Sequence, residues 1–169
     1  MKRAQTDRHD DPQPQDAPKP AAPRLDPRLI GSELTPFSVL VEPGRLRSFA
    51  RATGQTDPIY SDEVAARRAG HPSLPVPPTF LFCLEMDSPN PMEVYERLGI
   101  DYAKVLHGEQ HFGYRRIAHA GDTLHFRPRI VDLYEKKNGA LGFVVWETRV
   151  EASDGAPVAD LRSVMVVRN

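Results

Sequence analysis

Between positions 57 and 62 the chain sets two carboxylates, Asp57 and Asp62, on either side of a phenol, Tyr60. Groups of these types are the ones with which a pocket can move a proton. Tyr60, with a reference pKa of about 10, needs a shift of several units to act as a base near neutral pH. The plainer role for both acids is local. Asp57 precedes Pro58 as an Asx-turn residue does, and Asp62 stands where it can cap a following helix. A second grouping, His107, Glu109 and His111, has the residue types of a metal site. On a strand, residues four apart are separated by about 13 Å, so His107 and His111 cannot share one ion; no metal or other cofactor is expected. His107 then reads as a structural or partner-facing residue. Cys83 lies in an apolar run, where cysteine is usually an inert small hydrophobe, and the sequence points to no base that would activate it.

The elements that must carry these residues follow from hydropathy patterning. Phe37, Val39 and Val41 alternate with their neighbours as a strand does, and Pro43-Gly44 opens a helical stretch carrying Leu46, Phe49 and Ala50 that Gly54 stops. Residues 62–69 read as a second short helix with Gly70 just past its end. From Pro78 to Met86 the chain is apolar on nearly every side, the signature of a buried helix, with Pro77 or Pro78 suited to its first turn. A surface helix is expected over Pro91–Leu98. Four long strands then follow, Val105–Ile117, Thr123–Lys136, Leu141–Ala152 and Val158–Val167, rich in β-branched and aromatic residues. Asn138-Gly139 and Asp154-Gly155 are hairpin dipeptides, so the last three strands form an antiparallel meander. One strand, small helices, a buried helix and four strands can satisfy packing if the sheet curls around the buried helix. That is an α+β hot-dog fold.

With 169 residues there is room for one core. Residues 1–34 hold six of the 17 prolines and no apolar periodicity, and they read as a disordered tail that docks at most through Leu29 and Ile30; residues 35–169 form the folded domain. The 22 basic and 23 acidic residues leave no field of either sign to attract nucleic acid or an anionic membrane. One cysteine, no apolar signal stretch and no run of about 20 apolar residues predict a cytoplasmic protein. A sheet of this kind leaves an edge with unpaired backbone groups, so a dimer is expected.

The run Ala52-Thr53-Gly54-Gln55-Thr56-Asp57-Pro58-Ile59-Tyr60-Ser61-Asp62 resembles the hydratase motif of MaoC-like (R)-specific enoyl-CoA hydratases and 3-hydroxyacyl dehydratases, Ser/Thr-Gly-Asp-x-Asn-Pro-Ile-His-x-Asp. Gly54, Pro58, Ile59 and Asp62 fix the register. His107-Gly108-Glu109-Gln110 and Arg115-Arg116-Ile117-Ala118-His119-Ala120-Gly121-Asp122-Thr123-Leu124 are similar to further segments of the family, most closely its N-terminal, FAS1-like dehydratase branch, over residues 36–169.

The resemblance implies addition or removal of water across C2–C3 of an acyl-CoA or acyl-carrier-protein thioester. In active members an Asp and a His five residues apart hold the water, while backbone N–H groups at the start of the buried helix polarise the thioester carbonyl. Here those catalytic positions fall on Gln55 and Tyr60, an amide and a phenol. The substrate-binding positions fall on Pro78, Thr79, Phe80 and Leu81. The family's fold is kept and its acid–base pair is not. The expectation is a substrate-binding, catalytically degenerate half that works as a heterodimer with an intact MaoC-like subunit, or as a homodimer. The alternatives are a self-sufficient hydratase that recruits Asp57, Asp62 or Tyr60, and a hot-dog thioesterase.

Overall fold

The computed structural model of the chain describes residues 25–168. Most of the expected tail, residues 1–24, lies outside the described residues. Residues 25–34 run beside the sheet: Gly31 N–H donates to Ile130 O at 2.8 Å and Leu34 N–H to Pro128 O at 2.9 Å. Leu25 and Leu29 pack against a hydrophobic cluster, and Ile30 stays exposed.

Four helices and five strands follow: β1 Phe37–Leu40, α1 Pro43–Ala52, α2 Glu63–Arg68, α3 Phe80–Glu85, α4 Glu93–Leu98, β2 Val105–Tyr114, β3 Thr123–Lys136, β4 Leu141–Ala152 and β5 Pro157–Arg168. All neighbouring strands are antiparallel, in the order β1-β3-β4-β5-β2. The β3–β4 joint has the φ values of a type I′ turn, with Asn138 at 53° and Gly139 at 86°. At the second joint only Gly155 is left-handed, at 78°, so Asp154-Gly155 closes a longer loop with an irregularity beside it.

The alternation along the strands aims one face at α3. Leu124 and Phe126 of β3, Val150 of β4 and Leu161 of β5 are buried in one cluster with Phe80, Leu81 and Leu84 of α3. A bulge in β3 pairs Ile130 with Trp146 and Asp132 with Val145, leaving Val131 as the extra residue. Beyond it the inward positions change parity to Leu133, and a second cluster forms with Val94, Tyr95 and Leu98 of α4. The result is the expected hot-dog arrangement. Several boundaries differ, α4 among them, which starts at Glu93 rather than Pro91. α3 begins at Phe80 because Thr79, at φ 70°, breaks the helical path; β1 ends at Leu40; and β2 ends at Tyr114, after which Arg115 and Arg116 N–H both turn to Val158 O.

One helix residue is out of place in this apolar setting. Glu85 is 5 % exposed, its Oε1 accepts from Thr148 Oγ1, and among the described residues nothing meets Oε2. Burial pushes its carboxyl above the ordinary value of 4.5. The folded state therefore holds a proton that the unfolded chain releases once the pH passes 4.5, so this group's contribution to stability falls as pH rises from there toward the folded pKa. Glu85→Gln keeps the shape without the proton. Urea unfolding across the acidic range is expected to show the wild type losing stability relative to Glu85→Gln, at up to about 1.4 kcal/mol per pH unit; parallel profiles would contradict the burial argument.

Candidate functional site

The loop that carries the motif is built from helix-ending and turn chemistry. Gly54, at φ 69°, closes α1: its N–H donates to Arg51 O at 3.2 Å, and Gln55 N–H donates to Ala50 O at 2.9 Å. Asp57 Oδ1 accepts from Ile59 N at 3.1 Å, and Asp62 Oδ1 accepts from Val64 N at 2.7 Å as the N-cap of α2. Arg47 of α1 anchors the loop, donating from Nε to Ser61 O at 3.0 Å and pairing with Glu63.

Gln55 and Tyr60 part company here. Gln55 is exposed, and its Oε1 accepts from Asp57 N at 3.0 Å. Tyr60 is half-buried and lines a cavity of about 290 Å³. Pro78 and Leu81 line the same cavity, together with Val76, Ile117 and Val158. Phe80 instead turns into the core, where it meets Phe49 edge-on at 5.0 Å. A larger groove of about 470 Å³ lies on the outer face of the sheet, but its walls carry Arg127, Arg129, Arg149 and Glu147, largely engaged with one another's partners in ion pairs. Mostly apolar walls with a few polar tips describe a small-molecule site better, and the smaller cavity has them.

Those tips include three residues the sequence did not single out for the site: His71, Tyr114 and Arg116. His71 Nδ1 faces His119 Nε2 at 3.1 Å, one nitrogen carrying the shared proton. Burial lowers the His119 pKa against the pull of the Asp122 carboxylate, which also accepts from His119 N at 2.9 Å. Arg116 pairs at 3.3 Å with Asp154 in the β4–β5 turn. Tyr114 Oη accepts from Thr79 N at 2.9 Å. Of the three expected backbone donors, Thr79 N–H is thus engaged by Tyr114 and Phe80 N–H by Pro77 O at 3.1 Å. Leu81 N–H meets no acceptor among the described residues.

The metal-like grouping is dispersed. His107 stacks on Phe82 at 5.2 Å, and His111 pairs with Glu109 at 3.0 Å. Cys83 is partly buried and burial raises its thiol pKa, the reverse of an activated nucleophile. Among the described residues no helix is long and apolar enough to cross a membrane.

Residues 28–161 match the model of the FAS1-like dehydratase domain region. A UPF0336 protein of Saccharopolyspora erythraea is 34 % identical over 146 residues, covering 85 % of this chain and 92 % of the relative. Among solved structures, the C-terminally truncated HadBC (3R-hydroxyacyl-ACP dehydratase) complex from Mycobacterium tuberculosis superposes with a TM-score of 0.69 at 22 % identity, over 84 % of this chain and 98 % of that one. The (R)-hydratase from A. caviae gives 0.62 at 16 % identity, over 80 % and 94 %. Both structures share the fold.

Asp57 and Asp62 spend their carboxylates on backbone N–H groups outside the cavity, which separates a capping role from a catalytic one. Asp57→Ala and Asp62→Ala are each expected to cost about 1 kcal/mol of stability by urea unfolding and to leave butyryl-CoA affinity unchanged. A large loss of affinity with stability intact would place these acids at the ligand.

Proposed function

Because this chain belongs to the FAS1-like dehydratase family, we propose that it is the acyl-thioester-binding half of a hydratase/dehydratase pair, acting on acyl-CoA or acyl-carrier-protein thioesters in the cytoplasm. The observation that carries this reading is the fate of the motif's two catalytic positions. Gln55, an amide that cannot take up a proton near neutral pH, points away from the cavity to Asp57 N–H, while Tyr60 lines it as a phenol. Groups that act as a unit lose most of their effect when either is replaced, and here both are. What persists is a cavity of suitable size and polarity beside the start of α3.

A partner has a place to dock. β2 is an outer strand of the sheet, and Leu106, Tyr114 and Ile117 on and just beyond it are large apolar side chains 48–57 % exposed. Such an edge is normally covered. Tyr114 and Ile117 also line the cavity, so a chain seated on β2 borders the site. The similar HadBC dehydratase is itself described as a complex, which supports assembly with a partner subunit.

A second reading, a self-sufficient hydratase with atypical residues, is favoured by one observation: His71 lines the cavity and is backed by His119. One experiment separates the two. The purified chain is titrated with butyryl-CoA and assayed with crotonyl-CoA, alone and mixed with a MaoC-like subunit that keeps the motif's Asp and His. Binding by the chain alone, with hydration raised at least a hundredfold by mixing, is expected. Turnover by the chain alone at about 1 per second or more, lost in His71→Ala, would replace the first reading with the second.

A further inference from the structure

The hydroxyl of Tyr114 has a role that the motif does not assign. We propose that Tyr114 receives the carbonyl oxygen of the bound thioester, carrying the Thr79 backbone donor one hydroxyl further into the cavity. The inference rests on the acyl-thioester reading and deepens it.

A phenol has one O–H to give and lone pairs to accept with. One lone pair of Tyr114 Oη is taken by Thr79 N–H at 2.9 Å, and among the described residues no acceptor takes its proton. Tyr114 lines the cavity. The geometry therefore leaves a donor whose oxygen is already polarised by a received hydrogen bond, and donation from such a group is strengthened. Burial holds the phenol above its ordinary pKa, so the proton stays on the oxygen across the neutral range. The position is fixed on both sides. The Tyr114 ring stacks parallel to Phe112 at 6.0 Å, and Thr79, a β-branched residue, is held at φ 70°, a conformation that persists only where surrounding structure imposes it. At this φ its N–H meets Tyr114. A tyrosine serving only to staple the start of α3 to β2 would show the same bond but no dependence of ligand affinity on the carbonyl.

The test compares two ligands that differ at that oxygen alone: butyryl-CoA, a thioester, and S-butyl-CoA, the thioether with a methylene in place of the carbonyl. By calorimetry the wild type is expected to prefer the thioester about fivefold, the worth of one ordinary hydrogen bond. Tyr114→Phe is expected to bind both ligands with the wild-type thioether affinity, erasing the preference. As a readout that needs no variant, the infrared band of a 13C-labelled thioester carbonyl should move to lower frequency on binding to the wild type. A preference retained in Tyr114→Phe, or a carbonyl band unmoved in the wild type, overturns the role of Tyr114 while leaving acyl-thioester binding in place. A wild type that binds neither ligand overturns both.

Discussion

Leu81 and Leu84 of α3 are almost completely removed from solvent, in one cluster with residues of β1, β3, β4 and β5. Burying side chains of this size stabilises by about 1.5–3 kcal/mol each, enough to decide where a six-residue helix sits when its own propensity cannot. The consequences reach the cavity. With Leu81 seated in the core, the turn before it must lie at the end of the sheet, where Pro78 forms one wall and Thr79 is bent into the left-handed region to meet Tyr114. The motif loop approaches the same place from the opposite side, because the Gly54 stop and the Arg47 bonds carry it back along α1. Core packing thus assembles a site from segments distant in sequence.

The same packing tolerates one polar intrusion. Glu85 is on the helix face that enters the core, next to Leu84, and the sheet meets it with the Thr148 hydroxyl and the Trp146 side chain. A protonated carboxyl bonded to a hydroxyl is the low-cost form of such a residue in an apolar interior. It lies at the opposite end of α3 from Pro78, away from the cavity that Tyr60 lines.

The elements that could be read from sequence were those whose signal is periodic or forced by turn chemistry. Uniform apolarity marked α3, and Asn138-Gly139 marked a hairpin whose φ values only such a pair accepts readily. Val131 was not legible, because a bulge is an accident of pairing between strands and leaves no pattern in one of them. Gly108 is a similar case: an added Cβ would stand 3.0 Å from Val164 O, a contact known only once β2 is laid against β5. Of the residues that line the cavity, Tyr60, Pro78 and Leu81 stand at positions that the motif and the helix start mark. His71, Tyr114 and Arg116 do not, since each comes from a different segment and meets the cavity only after the sheet closes. Gln55 shows the limit of motif transfer. Its position in the sequence register is clear, but its amide turns to a local N–H that a neighbouring residue happens to offer.

On the function proposed, an acyl thioester lies in the cavity between the motif loop and the start of α3. A crystal structure of the chain bound to a non-hydratable acyl-CoA tests it most directly. The acyl group is expected between Tyr60 and Leu81 with the thioester beside Tyr114 Oη. Acyl density confined to the charged groove on the outer face of the sheet, with the cavity beside Tyr60 unchanged, would contradict it.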